Sequence, residues 1–112
     1  MFENETISLT TEDIESEPDM EYRLLYHNEK PNQWGGKSYI LTLKRSDGEK
    51  RELYMSNKQF EPFIRFVRKN DLRVYDDVVM TFSQEGYINK ENKPAMRVVF
   101  SKLWLRIQTK LE

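Results

Sequence analysis

Apolar side chains recur at every second position in five stretches of this chain and at helical spacing in only one. A period of two belongs to a strand with one face turned to a core. The pattern therefore commits the chain to a mainly β, α+β fold with a single principal helix. The clearest pair of strands is 37–45 and 49–56. In the first, Tyr39, Leu41 and Leu43 alternate with Ser38, Ile40, Thr42 and Lys44; in the second, Arg51, Leu53 and Met55 lie opposite Lys50, Glu52 and Tyr54. Asp47-Gly48 between them marks a tight turn, because glycine accepts the positive φ that hairpin turns require. A preceding strand covers 21–27, with Tyr22, Leu24 and Tyr26 on one face and Arg23, Leu25 and His27 on the other. Two further strands cover 74–83 and 95–102, and 103–107 either extends the last or begins a short terminal element. The stretches 28–36, with Pro31 and Gly35-Gly36, and 84–94, with Gly86 and Tyr87, read as polar loops.

The helical period falls on Phe60, Phe63, Ile64 and Val67. Ser56 with Gln59 three residues later forms a capping-box signal at its start. Pro62 fits badly inside a helix, since it lacks an N–H and crowds the preceding turn. The expectation is a start delayed to near Glu61, or an irregular first turn. The helix ends near Asn70, with Arg65, Arg68 and Lys69 in its last turns, where cations suit the helix dipole.

Charge is divided unevenly. Residues 1–20 hold seven of the nineteen acidic residues and none of the eighteen basic ones, so the rest of the chain carries a net charge of +6 behind an overall −1. This reads as an acidic arm, solvated and flexible, ahead of one domain at 21–110. A basic body concentrates polyanions around itself, and an acidic arm competes with them or recruits a basic protein partner. At 112 residues there is length for one domain. The absence of cysteine excludes disulfides and thiolate chemistry, and a single histidine excludes multi-histidine metal sites. No apolar run reaches the ~20 residues of a membrane span, and no basic-then-apolar leader opens the chain. The expected location is cytoplasmic.

The order strand, strand, strand, helix, strand, strand resembles the OB-fold, a five-stranded Greek-key barrel with its helix between the third and fourth strands. The resemblance is one of topology over about 21–102; the fold has no short diagnostic motif. It implies oligonucleotide binding across the second and third strands, between the loops 28–36 and 84–94. Both loops carry an aromatic and cations: Trp34 with Lys37 beside it, and Tyr87 with Lys90 and Lys93. Bases stack on aromatic faces while cations hold phosphates. The expected site is therefore Trp34, Tyr54 and Tyr87 for stacking, with Lys37, Lys44, Arg51, Lys90, Lys93 and Arg97 for phosphates. The implied function is non-catalytic binding of single-stranded nucleic acid, DNA ahead of RNA by fold analogy, with no metal or cofactor.

Other readings compete. Tyr39, Phe60, Phe63, Phe66 and Phe82 suit a core, Arg65, Arg68 and Lys69 a solvated helix face, and His27 a strand end. Asp76 or Asp77 with Glu91-Asn92-Lys93 matches a nuclease-like carboxylate pattern, but that chemistry needs its carboxylates on rigid neighbouring strands. The rival from another class is a protein-interaction module, for instance in a phage or mobile-element assembly, docking partners through grooves or strand edges.

Overall fold

The structure is a computed structural model and describes residues 7–33, 35–73 and 77–106. In chain order its elements are β1 (Ile7–Ser8), α1 (Thr11–Ser16), β2 (Tyr22–Pro31), β3 (Lys37–Arg45), β4 (Lys50–Ser56), α2 (Asn57–Lys69), β5 (Val78–Ile88) and β6 (Pro94–Leu105). The strands form one curled sheet, a half-barrel, in the order β1-β4-β3-β2-β5-β6. The fold is mainly β, as expected. Six strands and two helices stand where five and one were expected, the additions coming from residues 7–16. Among the described residues β1 and β6 end the sheet, so it is an open half-barrel rather than a closed one.

The β3–β4 hairpin forms as its alternation requires. Tyr39, Leu41 and Leu43 pair with Met55, Leu53 and Arg51 on the buried side. Gly48 sits at φ 98 in the turn, and the Asp47 carboxylate accepts the Glu49 amide at 3.1 Å. That amide, followed by Arg45, holds the Asp47 carboxyl below its ordinary pKa.

β2 departs from simple alternation. Leu24 pairs with Leu43, but the next register pair is Tyr26 with Thr42, so Leu25 is an extra residue on its strand. Such a bulge inverts the inward and outward series beyond it. Tyr26, expected beside Tyr22 and Leu24, instead points outward and is 57% exposed. His27 turns toward the core, edge-on to Phe60 at 5.1 Å and to Tyr39 at 5.7 Å. It is therefore no strand-end side chain.

Burial pushes the His27 imidazole below its ordinary pKa, with Glu29 acting in the opposite sense. A depressed histidine pKa stabilises the fold above the unfolded value, about 6.5, and that contribution is lost as pH falls below it. His27→Phe is accordingly expected to lose less Tm than the parent between pH 7.5 and 5. Parallel losses in the two proteins would refute the assignment.

α2 begins at Asn57, not near Glu61. Ser56 and Gln59 close the capping box in both directions, at 3.2 and 3.0 Å. The helix runs through Pro62, which forfeits one backbone bond. Burial of Phe60, Phe63 and Val67 against the sheet outweighs that loss. α2 lies against β3, β4 and β6, and the Gln59 side-chain amide donates to the Val98 carbonyl at 3.1 Å. It thereby bridges strands that the sheet leaves unpaired.

Residues 7–20, expected as a solvated arm, pack on the same core. β1 pairs in parallel with β4, and the Leu9 amide donates to the Glu52 carbonyl at 2.8 Å. Thr10 and Asp13 make a capping box for α1. Leu9 and Ile14 are buried in the core cluster, and Glu17 pairs with Arg45 at 2.9 Å.

Neither polar loop survives at its expected length. β2 reaches Pro31, and just beyond it the Asn32 amide donates to the Gly36 carbonyl at 2.9 Å. β5 runs to Ile88 and pairs with β6 up to Ile88–Pro94. β2 meets β5 only at Tyr22–Met80 and Arg23–Val79. From Phe82 to Ile88, β5 is therefore one half of a two-stranded ribbon. Its polar composition reflects exposure, not loop structure.

Candidate functional site

One rung of the ladder crosses five strands. Lys50 on β4 pairs with Lys44 on β3, Lys44 with Arg23 on β2, Arg23 with Val79 on β5, and Val79 with Trp104 on β6. The adjacent rung, Arg51–Leu43–Leu24, is buried. Side chains alternate between faces along a strand, so Lys50, Lys44 and Arg23 share the face away from the core. Neighbouring strands lie ~4.8 Å apart, which sets three cations side by side. Like charges directly opposite destabilise a sheet. Among the described residues none of the three forms an ion pair.

At the far end of this rung a groove of about 370 Å³ opens. Arg23, Lys44, Ser46, Val79, Trp104 and Arg106 line it, together with Tyr22 and one carboxylate residue, Glu21. Arg106 lies 3.8 Å from Asp77. The groove combines a half-buried indole, an apolar floor and three cationic residues.

Two tyrosines stand on the same outward face. Tyr26 lies opposite Thr42 and Tyr54 opposite Ile40, and they are 57% and 58% exposed. The buried residues of α1 and α2 all join the core cluster on the other side. Among the described residues no helix covers this face.

The nine residues expected from the sequence fall into separate places. Lys44 belongs to the cationic rung, and Tyr54 lies exposed on the same face. Arg51 does not: it is buried on the core side, donating to the Lys50 carbonyl at 2.8 Å and to the Glu49 carboxylate at 3.1 Å. Lys37 is exposed and paired with Glu29 at 3.1 Å; that hydrogen bond raises its pKa. Tyr87 and Arg97 meet on the ribbon, the guanidinium 4.5 Å from the ring centroid, with Arg97 Nε also 3.0 Å from Glu85. Lys90 and Lys93 occupy the turn at the ribbon's tip, where the Asn89 carbonyl oxygen Oδ1 accepts the Glu91 and Lys93 amides. Trp34 lies outside the described residues.

Sequence reasoning missed Arg23, Trp104, Arg106 and the outward Tyr26, whereas Lys50 beside Tyr54 was within its reach. Positions 23, 44, 50, 79 and 104 have no common spacing; only strand register makes them neighbours.

The nuclease-like pattern does not assemble. Asp77 and Glu91 flank β5, whose eleven extended residues span roughly 36 Å, and Asp76 lies outside the described residues. No group of three or more His, Cys, Asp or Glu is placed to hold a metal ion among the described residues. No family model, curated protein or solved structure matches this chain.

Proposed function

We propose that the protein binds single-stranded nucleic acid, without catalysis, on the uncovered face of its sheet. The observation that carries this reading is the rung Lys50–Lys44–Arg23, three adjacent cations without a carboxylate partner among the described residues. In the free protein their mutual repulsion is unfavourable, and a polyanion laid across them relieves it. Tyr26, Tyr54 and Trp104 add aromatic faces that unstacked bases can use; a duplex keeps its bases stacked and offers them none. We read the sheet as OB-like, with α2 following the third strand of the β2–β3–β4 meander, and this analogy favours DNA over RNA. Among the described residues no helix is long and apolar enough to cross a membrane.

The test is fluorescence anisotropy of a labelled mixed-sequence 20-nucleotide strand, titrated with the full chain at 50 and 200 mM salt. Binding that weakens with salt, and that excess unlabelled single strand removes more readily than duplex, is expected. An absence of binding at 50 mM salt would sink the proposal.

One observation favours a protein partner on a different surface. Ile88 and Met96, 63% and 52% exposed, flank Gly86 and Pro94 on the ribbon. An exposed apolar tip of this kind suits protein contact. It is compatible with the nucleic-acid reading, because the cationic rung lies elsewhere on the sheet.

A further inference from the structure

We infer that the groove beneath Trp104 is the subsite for one nucleotide unit of the bound strand, the indole taking the base and Arg23 with Lys44 taking its phosphate. This rests on the nucleic-acid reading and adds to it a place and a stoichiometry. The rung supplies the geometry. Trp104 lies two strands from Arg23 and three from Lys44, so its Cα stands roughly 10 Å from that of Arg23, and both side chains line one groove. A single nucleotide, extended from base to phosphate, covers that span.

The groove's contents fit the same ligand. Its volume of about 370 Å³ lies at the small end of ligand pockets, which suits one nucleotide better than a folded partner. Val79, 7% exposed, gives an apolar floor beside the indole. Arg23 and Lys44, with no ion pair among the described residues, set two positive charges against the single carboxylate of Glu21, while Arg106 in the same lining is paired with Asp77. An aromatic plate flanked by cations serves base and phosphate together. A purely apolar ligand would leave the cations unanswered, and a bare anion would leave the indole idle.

The chain has two tryptophans, so a Trp34→Phe variant isolates Trp104 as the reporter. Stacking quenches indole emission. Three probes are titrated: an unlabelled 12-nucleotide strand, a nucleoside 5′-monophosphate and inorganic phosphate. Quenching by the strand, following the anisotropy isotherm, is expected, with weaker quenching by the monophosphate and none by phosphate. Trp104→Ala in the otherwise unaltered chain is expected to weaken strand binding about fivefold to 160-fold, the range of one lost stacking contact. Trp104→Phe, which keeps an aromatic face, is expected to recover most of it. Thermal melts confirm that both variants fold.

The outcomes separate the two claims. If the strand binds while Trp104 emission stays constant and Trp104→Ala binds like the parent, the subsite is refuted and the broader function stands. If the monophosphate quenches but no strand binds, the groove is a free-nucleotide site and the strand-binding function falls. If no probe binds, both are overturned.

Discussion

Replacing Arg23 and Lys44 together by glutamine is expected to weaken oligonucleotide binding about 60-fold at 50 mM salt. Each phosphate contact on a single strand contributes about 0.7 to the slope of log K against log salt. Two lost contacts lower that slope by about 1.4. Extrapolated from 1 M salt, where the electrostatic contribution has largely vanished, a slope of 1.4 over the twentyfold range down to 50 mM gives the ~60-fold figure. The same substitution is expected to leave Tm unchanged or raise it slightly, since it removes like charges standing opposite one another. Loss of affinity with retained stability separates a binding face from a structural one. Arg68→Gln with Lys69→Gln is the control, because these cations end α2 on the core side of the sheet. Salt titrations of both variants provide the comparison. Equal slopes in parent and Arg23/Lys44 variant would remove the rung from the binding surface.

Truncating Leu9 and Ile14 to alanine is expected to come close to unfolding the protein. Both side chains are 5% exposed and belong to the main core. A buried Leu or Ile truncated to Ala typically costs ~2–5 kcal/mol, and two such losses approach the ~5–15 kcal/mol that holds a domain folded. A fall in Tm of more than about 10 °C follows, since each kcal/mol shifts a small domain by ~4 °C or more. Glu15→Gln with Asp19→Asn changes charge at exposed positions of the same segment and is expected to stay within ~0.5 kcal/mol of the parent. Urea melts of the two double variants distinguish packing from charge. A small effect of the alanine pair would show that residues 7–20 are dispensable to the core. Removal of residues 1–20 therefore tests folding before it tests any screening of the basic face.

Local signals were legible where structure is local. The Asp47-Gly48 turn, the Ser56–Gln59 capping box and the inward Tyr39, Phe60, Phe63 and Phe82 follow from spacing and residue type. Pro62 misled because propensity is a weak force beside three buried apolar side chains in one helix. The ribbon beyond Phe82 misled for the opposite reason: exposed strands carry the composition of loops. Acidity concealed α1, although Thr10 and Asp13 stand at capping-box spacing and Ile14 is the lone apolar residue beneath them. The candidate site was the least legible part. Of the cationic rung, the hairpin residues Lys44 and Lys50 were legible and Arg23 was not, since the pairing of residue 23 with 44 and 79 depends on chain segments far apart in sequence. Arg51 illustrates the converse. Its neighbour Lys50 faces solvent, and one step along a strand reverses the face.

The extra residue at Leu25 reaches beyond the packing of β2. It gives the strand ten residues where its ladder partner has nine. A relative lacking the bulge would match this chain only with a gap opened inside the strand, where gaps are ordinarily penalised. Without that gap, every position from Tyr26 to Pro31 would be compared with a residue on the wrong side of the sheet: an outward tyrosine set against a core residue, and an inward histidine against a surface one. Residue-by-residue transfer across β2 is sound only with the frame shifted by one at Leu25.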